Sequence, residues 1–538
     1  MTLPPSVFAA FSITAAAYPD HAFCCLPARA DRDWQPEGGE ISYAEAARRV
    51  ESLRALYAEA GYGLGHRVGL LLDMRPEFLL HYLALNALGC GIVPINPDYR
   101  HDEMLYQMQH SEADLAVVLP HRMADLHRVA AERGEKPLPV LDGLAMPARL
   151  PSPRQPARQG GIGHDTECSL LYTSGTTGRP KGCVLSNFYY LNAGAWYRDF
   201  GGLLTVRHGE ERFYNPLPLF HMNHQAITVT CAILTANCII LPERFSPTRW
   251  WREVAQTRAS IIHYLGVVPP LLLNQPETPE EKAHCVRFGL GAGVEPQLHG
   301  AFEARFGFPL VEVWGMTETG RILADAWEPR QIDTRAFGRP MQGLEAKVAD
   351  AQDNEVPHGQ EGELLVRFAG PDPRRGFFSG YLKNPQATDE AWKGGWFHTG
   401  DAVRMAEDGM LYFLDRKKNI IRRSGENISA AEVEAVLQSH DAVAQVAVLA
   451  VKDELREEEV MACIVAMPGQ SADAALADAL FDWCNQRLAY FKTPGWLLFV
   501  ESLPTTGTQK VQKTQIFKPD EDPRQRPGCI DLRQRKRR

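Results

Sequence analysis

The run Tyr172-Thr-Ser-Gly-Thr-Thr-Gly-Arg-Pro-Lys-Gly182 gathers hydroxyls, glycines and one lysine in a single stretch. It lies between apolar Leu170-Leu171 and Val184-Leu185, so it reads as a loop joining two buried segments. Glycines let the backbone approach a ligand, and successive backbone N–H groups form an anion-binding concavity. With the hydroxyls and Lys181 added, this is the chemistry of a polyphosphate cradle. It departs from the ordinary nucleotide P-loop. Pro180 stands at that pattern's second glycine, and Gly182 replaces the hydroxyl that would hold Mg²⁺.

Two more runs carry reactive groups. In Val313-Trp-Gly-Met-Thr-Glu-Thr-Gly320 a carboxylate sits between two threonines, oxygen ligands that suit a hard cation, beside an indole able to stack on a base. By itself the run reads rather as a helix start capped by Thr317, with Trp314 in the core. In Gly395-Trp-Phe-His-Thr-Gly-Asp401 the glycine allows a tight turn that presents Asp401, whose two oxygens match paired ribose hydroxyls. A turn aspartate closing a loop reads the same way.

The elements around these runs alternate. Ile41–Tyr62 has helical spacing with Ser42 as a cap, Val68–Leu72 and Gly91–Ile95 read as buried strands, and Arg75–Leu88 is helical. Such alternation implies an α/β fold with a largely parallel sheet. Ala226–Pro242 is too short for a membrane span and reads as a buried helix followed by a strand. From Phe337 short strand-like runs, among them Gly362–Arg367 and Met410–Leu414, mark a smaller β-rich unit. Beyond Asp415 come Val433–Leu437, Val443–Val451, Met461–Ala466 and the helix Ala474–Leu488, a compact α+β domain. The expected division is a large domain, 1–415, with α/β subdomains and the β-rich unit, and a small domain, 416–538.

Composition narrows the class. At 538 residues more than one domain is expected, and a net charge of −9 argues against a nucleic-acid binder. The 11 cysteines are scattered with no CxxC pair, which fits reduced, mostly buried thiols in a cytosolic protein. No Lys or Arg precedes Arg29, so the basic region of a signal peptide is missing and a cytoplasmic location is expected. The basic end, Arg533-Gln-Arg-Lys-Arg-Arg538, reads as a frayed, solvated tail.

Taken together and in order, the three runs and Leu503-Pro-Thr-Thr-Gly-Thr-Gln-Lys510 resemble the AMP-forming acyl-adenylate superfamily. Acyl-CoA synthetases, peptide-synthetase adenylation domains and beetle luciferases belong to it, and the general texture is similar to crotonobetaine/carnitine-CoA ligases. The resemblance extends from Ala16–Ala22 to Lys510. It implies that Thr173, Ser174, Gly175, Thr176, Thr177, Gly178 and Lys181 embrace the β- and γ-phosphates of ATP. It places Gly291, Ala292 and Gly293 under the adenine and Trp314 against it. Thr317 would contact the α-phosphate, Glu318 would hold Mg²⁺, and Asp401 with Arg416 would bind the ribose. Lys418 would be the hinge of a mobile C-terminal domain, and Lys510 the lysine that serves adenylation. Ser424-Gly425-Glu426-Asn427 matches the loop used in thioester formation, with Ser424 and Gln509 standing where relatives usually carry glycine.

The implied reaction joins a carboxylic acid to ATP, releases pyrophosphate, and passes the acyl group from AMP to coenzyme A. His221 matches a position that shields the carboxylate. Asn223, His224, Gln225, Tyr264 and Gly266 would shape the acyl pocket. Their polarity suggests a small or medium acid with a polar or ring substituent, although the same side chains could simply bond one another behind the pocket. A carrier-protein phosphopantetheine as acceptor and a non-catalytic nucleotide or acyl-CoA-binding regulator are the alternatives. The partners expected are small molecules, with a homodimer allowed and neither nucleic acid nor a transmembrane segment.

Overall fold

The computed structural model describes residues 3–134, 138–173, 179–266, 268–416, 420–504, 511–518 and 521–537. Ser174–Gly178, Lys418 and Lys510 therefore lie outside the described residues. Contacts divide the chain into two compact units. One comprises Met1–Pro97, Gln107–Leu171 and Gly182–Asp415; the other joins Asp98–Tyr106 and Tyr172–Lys181 to Arg416–Arg538.

The first unit is mixed α/β. Its eight-stranded sheet runs Ile322–Ala324, Leu310–Gly315, Phe288–Ala292, Ile261–Leu265, Arg212–Tyr214, Cys238–Ile240, Ala22–Leu26, Gly39–Ser42. The pairs from Leu310–Gly315 through to Ala22–Leu26 are parallel, as β-α-β alternation dictates. A seven-stranded sheet centres on Gly91–Pro94 and Arg67–Leu71, whose residues are almost all fully buried, the signature of a sheet covered on both faces. Ser42 caps Tyr43–Glu59 by accepting the Glu45 amide, as the sequence suggests, and Pro76 opens the helix Pro76–Asn86. Ala226–Pro242 holds the helix Val229–Leu234 and the strand Cys238–Ile240. The β-rich portion is a four-stranded sheet of Leu344–Ala349, Glu361–Phe368, Phe397–Met405 and Leu411–Arg416.

The second unit is richer in strands than the sequence suggested. Beside the helices Ala430–Gln438 and Ala474–Arg487, a six-stranded sheet includes Ile420–Arg423, Glu426–Ser429, Trp496–Phe499 and Ile530–Asp531, all short. The basic end is docked, not frayed. Ile530–Asp531 pairs with Trp496–Phe499, Leu532 is buried, Arg533 reaches Asp453 and Asp531, and Arg535 bonds Asp478 and Asp482. A run of like charges looks solvated when most of its acidic partners lie far away in sequence, as Asp453, Asp478 and Asp482 do here. No helix of the described residues is long and apolar enough to cross a membrane.

Candidate active site

The Trp314 and Asp401 runs meet in the first unit. Trp314 ends the strand Leu310–Gly315, Asp401 lies in Phe397–Met405, and the indole Nε1 donates to Asp401 Oδ2 at 2.8 Å with both residues buried. The Asp401 amide donates to Thr399 Oγ1 at 3.1 Å, and Thr399 donates to the Leu364 carbonyl at 2.7 Å, which holds the aspartate from behind. Trp314 thus does more than offer a ring: it fixes the carboxylate assigned to the ribose.

Thr317 and Glu318 lie in the turn after Trp314, not at a helix start. Tyr189 donates its hydroxyl to the Thr317 carbonyl at 2.7 Å, and the Phe378 amide donates to the Glu318 carbonyl at 2.9 Å. Tyr381 donates to Glu318 Oε1 at 2.8 Å, and burial followed by the neighbouring carboxylate pushes the Tyr381 hydroxyl far above its ordinary range. The phenol stays protonated and remains a donor. Among the described residues no group of three or more His, Cys, Asp or Glu side chains could hold a metal by itself. One carboxylate with a neighbouring hydroxyl residue fits Mg²⁺, which commonly takes one or two carboxylates and completes its shell with phosphate oxygens and water.

Gly291 and Ala292 lie on Phe288–Ala292, and Gly293 follows with φ +87°. A Cβ on Gly291 would lie 2.3 Å from the Tyr264 carbonyl oxygen and 2.6 Å from its ring, so this glycine lets the Tyr264 ring lie against the strand. Glu312 ties the corner together. Its carboxylate accepts the Gly293 amide at 2.8 Å, the Val294 amide at 3.3 Å and the Tyr264 hydroxyl at 2.6 Å. Burial pushes the Glu312 carboxyl up while these donors oppose the shift.

The acyl-pocket residues separate into groups. Asn223, His224 and Gln225 open a π-helical turn, Asn223–Thr228, a geometry frequent at functional sites. Asn223 Oδ1 accepts from Asn215 at 3.0 Å and contacts His263 Nδ1 at 2.9 Å, so His263 carries its proton there; Tyr197 lies 3.4 Å from His263 Nε2. Asn215 also donates to Thr228, and Thr228 to the Asn223 carbonyl. Asn223 is therefore held within a network of side chains, as the plainer reading allowed. His224 and Gln225 differ. His224 Nδ1 donates to the Leu217 carbonyl at 2.6 Å and Gln225 Oε1 accepts from Tyr190, yet His224 Nε2 and Gln225 Nε2 have no hydrogen-bond partner among the described residues. Burial pushes His224 down to about 4 and His263 to about 3, so both rings are neutral at physiological pH. Tyr264 packs with Tyr214 and Trp250 in a core of its own. Side chains alternate along Ile261–Leu265, so His263, which the sequence reading passed over, is the residue of that strand that faces Asn223. Gly266 follows in a turn, and the His221 ring lies 4.6 Å from Phe220.

The remaining assignments belong to the second unit. Thr173 closes Glu167–Thr173, Lys181 opens Lys181–Ser186, and Tyr106 donates to the Pro180 carbonyl at 2.9 Å while Arg179 lies over its ring. Arg416 ends Leu411–Arg416, and Gly425 sits in a turn with φ +88°.

Comparison with known proteins gives the family. Residues 11–382 match the model of the AMP-binding enzyme, and residues 432–510 that of the AMP-binding enzyme C-terminal domain. The chain belongs to the AMP-binding enzyme family. It is 30% identical over 498 residues to the crotonobetaine/carnitine-CoA ligase of Citrobacter koseri, covering 89% of this chain and 93% of the relative. The corresponding ligase of Proteus mirabilis matches at the same identity and coverage, 30%, 89% and 93%. Among solved structures, o-succinylbenzoate CoA synthetase from Bacillus subtilis superposes with a TM-score of 0.81 at 23% identity, covering 96% of this chain and 98% of that one. The amide bond synthetase McbA from Marinactinospora thermotolerans gives 0.78 at 24% identity, with 94% and 98% covered. At that identity these two describe the fold of the family member, an α/β assembly with a small C-terminal domain.

Proposed function

We infer that this AMP-binding family member is an AMP-forming acyl-CoA synthetase acting on a small or medium carboxylic acid with a polar substituent. Membership over most of the chain supports the reaction class, and the single observation that carries the site is Trp314 locked onto Asp401 one turn from Glu318. In the first half-reaction the acid's carboxylate attacks the α-phosphorus of ATP and pyrophosphate leaves. Both partners are anionic, so positive charge at the phosphoryl oxygens governs the rate. Glu318, steadied by Tyr381, would hold Mg²⁺, which supplies part of that charge; the Lys510 ammonium supplies the rest. Thr317 contacts the α-phosphate, Asp401 and Arg416 orient the ribose, and Thr173–Lys181 grips the leaving pyrophosphate. In the second half the CoA thiol attacks the acyl carbon and AMP departs, with the Gly425 turn and the Lys418 hinge serving that step.

The substrate reading rests on His224 and Gln225. A buried polar atom without a partner costs about 1–3 kcal/mol, a cost that a ligand's polar group would remove. The curated relatives are named for crotonobetaine and carnitine, so these acids head the panel to be tested with ATP, Mg²⁺ and CoA, scored by AMP release and thioester mass. Release of AMP with none of the polar acids, but with alkanoates, would overturn the substrate reading. Lys510→Ala should lose roughly two to three decades of ATP–pyrophosphate exchange, the scale of one removed oxyanion donor, and keep thioester formation from supplied acyl-adenylate. Lys418→Pro should do the reverse. Equal loss of both halves in either variant would remove the assignment. A cytoplasmic setting and a homodimer complete the reading, and light scattering tests the latter.

A further inference from the structure

Four adjacent strands of the first unit, Cys238–Ile240, Arg212–Tyr214, Ile261–Leu265 and Phe288–Ala292, are parallel. Their C-terminal ends lead to groups already assigned to the reactants: Asn215, which holds Asn223, follows one strand, and Ala292 ends another. Their N-terminal ends open on a cleft of about 600 Å³. Arg212 and Cys238 begin their strands there, and Ser260 and Arg287 stand one residue before theirs. Two of the cleft's four arginines are engaged. Arg212 donates through Nε to the Thr257 carbonyl and through Nη2 to Glu40, each at 2.6 Å. Arg287 pairs with the buried Glu211, which also accepts the Ser260 hydroxyl at 2.5 Å. The other two are not engaged. Arg207 is 53% exposed on its side chain and stands 3.7 Å from Glu210 and 4.0 Å from Glu211, beyond hydrogen-bond reach. Arg258 is exposed, and its guanidinium makes no hydrogen bond or ion pair among the described residues. Arg258 is also strained. It follows the helix Trp250–Gln256 and its cap, Thr257, with φ +52°; its amide donates to the Ala255 carbonyl at 3.1 Å and the Ala259 amide to the Val254 carbonyl at 3.0 Å. That is the closure that ends helices on a glycine, and a side chain at such a φ is disfavoured.

We propose that Arg258 and Arg207 make this cleft an accessory binding site for a phosphate monoester. The charge left unengaged is two guanidinium groups against one loose carboxylate, Glu210, so the cleft favours an anion. A guanidinium offers paired donors in a fork that matches phosphate, and two of them suit a dianion. The volume falls in the range of small-molecule sites, about 300–1,000 Å³, and exceeds what a bare phosphate fills. Walls that include Glu40, Glu210 and His21 suit a hydroxyl-rich body for the rest of the ligand. Strained side chains persist where they have a use, and no acid of the described residues supplies one for the Arg258 guanidinium. A cation at this place also meets the negative end of the helix dipole. That role predicts a less stable glycine variant, whereas a ligand's arginine predicts a more stable one. None of the residues assigned to ATP or to the acid lines the cleft, so the site exists or not whichever acid is the substrate.

The test is calorimetric titration of the full-length protein, in phosphate-free buffer, with ribose 5-phosphate, inorganic phosphate and ribose. Ribose 5-phosphate should bind, inorganic phosphate should bind more weakly, and ribose should not bind. Hydrogen exchange should slow in the peptides that hold Arg207 and Arg258 when the sugar phosphate is present. Arg258→Gly should weaken ribose 5-phosphate about tenfold, the scale of one hydrogen bond to a charged group, while raising the melting temperature. Arg207→Gln should weaken it as well, and Arg258→Lys should keep part of the affinity. Asp401→Ala, in the place assigned to the ribose of ATP, should leave the titration unchanged. Binding of neither phosphate, or of inorganic phosphate alone, overturns the site. So does a glycine variant that binds like the wild type, and so does an Asp401→Ala variant that loses the sugar phosphate. A glycine variant that melts below the wild type assigns Arg258 to the helix end and overturns it too.

Discussion

Two polar regions differ in kind: the one around Asn223 in the first unit is neutral, and those around Glu459 and Lys492 in the second are charged. Around Asn223 the elements are amides, hydroxyls and two uncharged imidazoles, arranged so that nearly every donor meets an acceptor. In the second unit Glu459 lies between Arg423 and Lys536, and Lys492 bonds Glu103 at 2.6 Å and Glu432 at 2.8 Å, all deeply buried. A neutral network fixes shape at small cost, and an atom it leaves unpartnered among the described residues, such as His224 Nε2, is the one proposed to read a substrate. A buried ionic cluster is more severe: its members tolerate no missing partner.

Breaking the charged side should show the largest effect. Glu459→Ala strands two cations and should cost the second unit about 3–5 kcal/mol, read as lost hydrogen-exchange protection confined to that unit's peptides. Protection lost equally in both units would erase the contrast. Acid should then act on the neutral side. His224 and His263 are held below the ordinary histidine value, so as pH falls below about 6.5 the unfolded chain takes up protons that the folded rings refuse. Stability is full above that pH and drains toward pH 4, each ring withdrawing up to about 3 kcal/mol by the end. His263→Gln should flatten the first unit's pH profile; an unchanged slope would show that the buried ring does not govern it.

Asn223→Ala removes one acceptor from two donors and should cost about 1–3 kcal/mol, with KM for the acid rising more than kcat falls. Trp314→Phe keeps the ring and deletes the donor to Asp401. It should raise KM for ATP by about tenfold, the worth of one hydrogen bond to a charged group, which initial-rate kinetics would show. The smallest change sharpens the Ser424-Gly425 turn: Ser424→Gly relieves a positive φ, +50°, in a side-chain-bearing residue and should stabilise the second unit by about 1 kcal/mol in denaturant titration.

The sequence disclosed what is local. Phosphate-loop, Glu318 and Asp401 runs are short, glycine-punctuated and set between apolar strands, so order and composition expose them. What escaped depends on pairing across the chain. His263 and Tyr264 are neighbours in sequence and look interchangeable until strand alternation sends them to opposite faces. Glu312 and Tyr381 carry no local mark, because their roles come from Gly293 and Glu318. The basic end appeared solvated because Asp453, Asp478 and Glu459 stand 57 to 80 residues from the side chains they meet.

The missing side chain at Gly291 has a practical consequence for redesign. The Tyr264 ring occupies the volume that any side chain at 291 would need, and its hydroxyl is the third donor to Glu312. Positions 264, 291 and 312 therefore form one unit of inheritance. A library that varies position 291 alone would consist almost wholly of misfits. One that shrinks position 264 at the same time would open new room beside the strand Phe288–Ala292 and release a carboxylate to shape it.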